Sequence, residues 1–192
     1  MPVPLRELQT DRLCLRSPVP EDAADYFTYL FGCPEVGKYM LWTPHKDPEE
    51  SRISIRKALD RCREGTAYRW VITSRKDGKL LGLMDLVRID REAGCCSFVY
   101  MLGIPYQGQG YGSEALKAAL DFAFTDLKLQ RVTADHMAEN PASGRAMEKA
   151  GMIRTGFHKA KYEKNGICHD AAEYTITRSQ WMRNREQNLS DA

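Results

Sequence analysis

The chain has 192 residues, 43% hydrophobic and 28% charged, with a formal net charge of +2. That length suits one domain with a substantial core, and the balanced charge argues against non-specific nucleic-acid binding. No apolar run approaches the ~18 residues of a membrane span and no leader peptide is evident; the six cysteines form no C-x-x-C pair and have no clustered histidine. A cytoplasmic protein with reduced thiols, no metal site and no membrane attachment is expected.

Taken in order, Arg6 to Arg16 reads as a first strand around Leu13 and Leu15, ended by Pro18 and Pro20. Glu21 and Asp22 place acids in the first turn of a helix carrying Tyr26, Phe27, Leu30 and Phe31, which Gly32-Cys33-Pro34 breaks. The stretch from Glu35 to Lys46 holds Tyr39, Met40, Trp42 and His45, too many aromatics for a plain linker. It is either core packing or a wall of a binding pocket. Asp47-Pro48-Glu49-Glu50 opens a second helix with Ile53, Ile55, Ala58, Leu59 and Cys62 on its apolar side, ending near Gly65.

Tyr68–Thr73 and Leu80–Ile89 read as strands joined by an Asp77-Gly78 hairpin turn. Alternation puts Leu81, Leu83, Asp85, Val87 and Ile89 on one face, which makes Asp85 either a paired internal carboxylate or an acid/base candidate. A turn at residues 90–94 leads into the strand Cys95–Gly103. Beyond the helix that follows come a short strand, Arg131–Met137, and a second helix from Asn140. The hairpin Ile153–Glu163/Ile167–Thr177, turning on Asn165-Gly166, closes the fold. Residues 1–180 are expected to form the domain, and 181–192 a solvated tail.

The stretch from Tyr100 to Leu116 organises the rest: an apolar strand, a Pro105 turn, glycines at 108, 110 and 112, then a helix start. Ala115, Leu116, Ala119, Leu120, Ala123, Phe124 and Leu127 share one helix face. A glycine-rich turn feeding a helix N-terminus offers free N–H groups and the positive dipole end to a pyrophosphate. A P-loop is excluded because no Gly-Lys-Ser/Thr closes the turn, and a dinucleotide fingerprint would need a glycine at Ser113. A methyltransferase-type glycine loop is the better rival. It, too, belongs after the first strand of a parallel sheet, whereas about a hundred mostly antiparallel residues come first here.

Gln107-Gly108-Gln109-Gly110-Tyr111-Gly112, together with Asn140-Pro141-Ala142-Ser143-Gly144-Arg145-Ala146-Met147-Glu148-Lys149-Ala150-Gly151-Met152, resembles the GNAT acyl-CoA N-acyltransferases. Thr10–Arg16, Pro34-Glu35-Val36 and Lys79–Gly82 are similar to the subgroup containing the ribosomal-protein N-terminal acetyltransferases, so the resemblance spans roughly residues 7 to 178. It implies an α/β (α+β) fold with a mixed, mostly antiparallel sheet whose central parallel strand pair splays apart. Acetyl-CoA is the implied co-substrate. Its pantetheine arm would run along Met101 and Leu102, and its pyrophosphate would sit on Gln107, Gly108, Gln109, Gly110, Tyr111 and Gly112.

The resemblance also implies acetyl transfer by direct attack of a primary amine, a small molecule or a protein or peptide N-terminus, with a backbone N–H between Val99 and Met101 polarising the carbonyl. Asn140 would contact pantetheine or an active-site water, and Ser143 the departing sulfur; helix capping is the ordinary alternative for both. Two departures stand out: Met147 replaces the family's tyrosine acid, and Ser97 a glutamate frequent on the central strand. His136 is left as candidate base, against simple packing. An acyl-CoA-binding sensor without catalysis and an S-adenosylmethionine-dependent methyltransferase stay open at this point, as do the acceptor's identity and the choice between monomer and homodimer.

Overall fold

Short antiparallel strands and amphipathic helices build one mixed sheet with helices on both faces. A computed structural model describes residues 2–190. The sheet comprises β1 (Leu8–Gln9), β2 (Leu13–Arg16), β3 (Tyr68–Ser74), β4 (Leu80–Asp90), β5 (Cys95–Leu102), β6 (Arg131–Met137), β7 (Ile153–Lys164) and β8 (Ile167–Thr177). They lie in the order β1-β2-β3-β4-β5-β6-β8-β7. Among the described residues only β5 and β6 run parallel, and they pair just from Cys95–Arg131 to Ser97–Thr133 before diverging. A parallel pair needs a crossover, and α3 (Tyr111–Thr125) supplies it.

Each local signal has a physical counterpart. In α2 (Pro48–Glu64), the Asp47 carboxylate accepts the amides of Glu49 and Glu50 at 2.9 and 3.0 Å, and Gly65 ends the helix at φ +71°. The seven apolar residues expected to share a face of α3 and its exit are all buried. They pack on one side of the sheet with Met147 and Ala150 of the segment holding α4 (Pro141–Lys149). The opposite side is covered by α1 (Ala23–Asp25), its π-helical continuation Tyr26–Phe31, and α2, through Tyr26, Leu30, Phe31 and Ile55.

Four expectations change. The first strand is instead a small hairpin, β1–β2, in which Thr10 Oγ1 accepts the Leu13 amide at 3.0 Å. Ile53 lies 40% exposed rather than on the buried side of α2. In β4 the pairing register slips beside Leu80 and again between Val87 and Asp90. Each slip inserts an odd residue and reverses the alternation. Leu83, Asp85 and Val87 therefore share a face, while Leu81 and Ile89 pack with the other core. Finally, the segment expected as a solvated tail continues the helix α5 (Arg178–Ser190): the Trp181 ring lies tilted against Phe124 at 5.3 Å and its Nε1 donates to Asp121 at 2.7 Å. Residues 191 and 192 of that segment lie outside the described residues. No described helix is long and apolar enough to cross a membrane.

Candidate active site

The divergence of β5 from β6 opens a cleft of about 570 Å³ through the sheet. Residues Phe98 to Leu102 line it, and past Ser97 the β6-facing backbone edge of β5 has no strand partner. That edge offers an amide chain the pairing a further strand would give. Met101 and Leu102 are each 8% exposed and are held from behind by Leu83 and Gly82 of β4.

At one mouth stands the glycine loop. Gly108 and Gly110 take φ of +75° and +84°, and a Cβ at Gly108 would meet nothing within 4 Å. The loop's outer face is thus open, with backbone amides leading into α3, as an anionic pyrophosphate requires. Gly112 serves differently: a Cβ there would lie 2.8 Å from the Tyr100 ring, so this glycine lets α3 approach β5. The side chains of the neighbouring glutamines brace the turn, Gln107 donating to the Leu102 carbonyl at 2.9 Å and Gln109 to that of Pro105 at 2.6 Å. Arg12 clamps the loop from the β1–β2 hairpin. It donates to the Gln109 carbonyl, pairs with Glu114 at 2.6 Å, and lies over the Tyr111 ring at 4.5 Å.

Across the gap, Asn140 caps α4: its Oδ1 accepts the Ser143 amide at 3.4 Å, and Pro141 fills the first helical position. Ser143 is therefore not the cap. Its side chain lines the cleft beside the Tyr100 phenol, whose pKa burial raises and the Ser143 hydroxyl partly lowers. Tyr100, on β5, joins the site although nothing in its apolar surroundings in the sequence marks it. Met147 is buried at the cleft wall.

His136 lines this cleft between Asp135 and Met137. Its Nδ1 lies 2.7 Å from the Met137 carbonyl. Its Nε2 is buried without a partner, 2.8 Å from where a Gly144 Cβ would stand. The ring sits between β6 and α4, 5.7 Å from that of Tyr174.

The other mouth is walled by Glu35, Val36, Tyr39, Met40, Leu41 and Trp42. The aromatics of this segment thus split between the two expected roles. Trp42 lines the cleft, while His45 stacks on Phe31 at 4.5 Å and bonds Ser51 at 2.8 Å. Lys164, at the tip of β7, donates to the carbonyls of Gly37, Lys38 and Met40 at 2.5, 3.1 and 2.7 Å and fastens this wall to the last hairpin. Arg88, Asp135 and Tyr162 complete it. Ser97 binds Thr133 at 3.0 Å and supplies no carboxylate. Asp85 is a structural partner, gripped by Arg69 at 2.8 and 2.6 Å outside this cleft.

Comparison with known proteins agrees with this geometry. The family model "Acetyltransferase (GNAT) domain" matches residues 12–153. The "Uncharacterized N-acetyltransferase p20" of Bacillus licheniformis is 35% identical over 162 residues, covering 82% of this chain and 90% of that protein. The "[Ribosomal protein uS5]-alanine N-acetyltransferase" of Escherichia coli is 24% identical over 95% of this chain and 96% of its own. A solved spermidine N-acetyltransferase from Vibrio cholerae, in complex with CoA and spermine, superposes with a TM-score of 0.79 at 21% identity, covering 90% and 99% of the two chains. The mixed sheet with its single parallel pair also removes the methyltransferase alternative, which needs a parallel one. The chain belongs to the GNAT acetyltransferase family and is an acetyl-CoA-dependent N-acetyltransferase.

Proposed function

We propose that the chain acetylates a protein or peptide N-terminal α-amine. The observation that carries this reading is the charge at the acceptor mouth. Glu35 and Asp135 are offset there by Arg88 and by Lys161, which binds Asp135 at 2.5 Å. With no surplus of carboxylates, the mouth suits a singly charged amine better than a polycation. An α-amine of pKa ~7.7–8.0 is also roughly one-third neutral at pH 7.5, whereas a lysine at ~10.4 is almost wholly protonated. The lack of a carboxylate at Ser97 is then no obstacle, because the nucleophile needs little deprotonation.

The chain's residues divide the work. The amides of residues 108–112 hold the pyrophosphate, and the open edge of β5 holds the pantetheine. An N–H between Val99 and Met101 polarises the thioester carbonyl. Acetyl-CoA supplies the activated acyl group. Asn140 keeps α4 in place, and Ser143, backed by the Tyr100 phenol, donates to the departing sulfur. Tyr100 thereby takes over from β5 the role of the acid missing at Met147.

The test offers acetyl-CoA with an alanine-terminated peptide and with spermidine in competition, products being read by mass spectrometry. Acetylated peptide should dominate. Preference for spermidine overturns the acceptor assignment.

A further inference from the structure

Across the splay from Val99, Asp135 is two residues beyond the last β5–β6 pair and lines the acceptor side of the cleft. Its Oδ1 accepts a hydrogen bond from Tyr162, whose side chain reaches from β7 across β8. Its Oδ2 is taken by Lys161 at 2.5 Å. Burial pushes the Asp135 carboxyl up, but the Lys161 and Tyr162 hydrogen bonds and the charges of Lys161 and Arg88 outweigh that and hold it below the ordinary carboxylate range. Asp135 is thus anionic at neutral pH. Burial and the bond to Asp135 push the Tyr162 phenol well above its usual value, so it stays protonated.

A phenol has one proton and two lone pairs. The Tyr162 proton is committed to Asp135, so towards the cleft this oxygen can act only as an acceptor. In acetyl transfer the nitrogen lone pair forms the new C–N bond, the C–S bond breaks, and the sulfur leaves with the thioester electrons. Positive charge builds on nitrogen meanwhile, so its N–H becomes a stronger donor in the transition state than in the ground state. We propose that Tyr162 is a catalytic residue whose oxygen accepts a hydrogen bond from the attacking amine and aims its lone pair at the carbonyl carbon, with Asp135 as the positioning residue that fixes the phenol. The surplus nitrogen proton leaves to water at the acceptor mouth. Neither residue belongs to the glycine loop or the α4 segment, and the assignment rests on the acetyl-transfer reading above.

The experiment compares the full chain with Tyr162→Phe, Asp135→Asn and the double variant, using acetyl-CoA and the alanine-terminated peptide or, if it turns over faster, spermidine. Tyr162→Phe keeps the ring and removes only the acceptor oxygen. It should lower kcat and kcat/KM for the amine about 10- to 100-fold, the worth of a hydrogen bond to a group gaining charge. The dissociation constant of acetyl-CoA, measured by calorimetry, should stay within about 2-fold. Asp135→Asn should fall in the same direction but less, because its amide oxygen still accepts from the phenol. The double variant should be no slower than Tyr162→Phe, since Asp135 acts through Tyr162; a merely structural pair would leave kcat unmoved.

Wild-type turnover in Tyr162→Phe overturns the assignment, as does a loss of acetyl-CoA affinity equal to the loss of rate. Should Tyr162→Phe melt below the assay temperature, the size-matched Asp135→Asn decides, and an unchanged kcat/KM there overturns it. Absence of turnover by the unsubstituted chain with both amines instead overturns the acetyl-transfer reading, and this assignment with it.

Discussion

Removing the Ser143 hydroxyl separates two things the site asks of one residue. The hydroxyl lies beside the half-buried Tyr100 phenol on the cleft wall, next to Gly112 of α3. Ser143→Ala takes the polar neighbour from that phenol, a cost of ~0.5–1.5 kcal/mol. For a domain of this size each kcal/mol lowers the melting temperature by about 2–4 °C, so a drop of roughly 1–6 °C is expected. Tyr100→Phe deletes the phenol and should cost ~1 kcal/mol; adding Ser143→Ala to it should cost almost nothing more, because no polar group is then stranded. Kinetically, loss of the donor should lower kcat and kcat/KM together by about 10²–10⁴, with acetyl-CoA affinity kept. Asn140→Ala is the control for helix capping and should lose ~1 kcal/mol of stability. Calorimetric melts of the four-membered cycle, with initial rates taken well below every melting point, provide the readout. Normal kcat per folded Ser143→Ala molecule, with additive stability losses, would refute the donor role and reduce the pair to packing.

Free CoA at ~100 times its dissociation constant should add about 2.7 kcal/mol, a melting shift of roughly 5–11 °C that Gly110→Val abolishes; an undiminished shift in the variant makes the loop merely structural. Asp85→Ala leaves Arg69 facing an empty partner position and should destabilise by ~3–5 kcal/mol while kcat per folded molecule holds, and a selective loss of kcat would return Asp85 to the chemistry. Burial raises the Glu114 carboxyl, but bonds from Thr10 and Arg12 and the Arg12 charge carry it below its usual 4.5. Its folded-state pKa is depressed, so its stabilisation is present above about pH 4.5 and is lost as pH falls through the folded value. Unfolding midpoints measured against pH should show less acid sensitivity in Glu114→Gln, and an unchanged profile contradicts the clamp.

The parts legible in the sequence are those whose physics is local. The glycine loop, the Asp47 cap and the Asn165-Gly166 turn, whose residues take φ of +53° and +76°, each declare themselves within a few residues. The two motif segments reached further, bringing the loop and α4 to one cleft. Slips of register in β4 were invisible because an inserted residue has no distinctive side chain, and they misdirected Leu81 and Ile89. The Tyr162–Asp135 contact spans 27 residues and a whole intervening strand, so no spacing in the chain announces it. Tyr100 was hidden in plain view within an apolar run, since only the position of Ser143 gives its hydroxyl a meaning. His136 shows the converse: its residue type alone suggested chemistry, while its place on the cleft wall and its buried, unpartnered Nε2 emerge only from the fold.

Lys164 joins carbonyls that lie as far as 127 positions away in the chain. On the proposed reading the amine-side wall is thus assembled from remote pieces, residues 35–42 and the last hairpin with Arg88 and Asp135, whereas the acyl-donor side comes mainly from β5, the glycine loop and α4. Insertions or deletions at the hairpin tip would therefore reshape what the enzyme accepts while leaving intact what it spends. A lineage could change clients by editing a turn, and a designer could exchange residues 36–42 and 163–168 as one matched cassette.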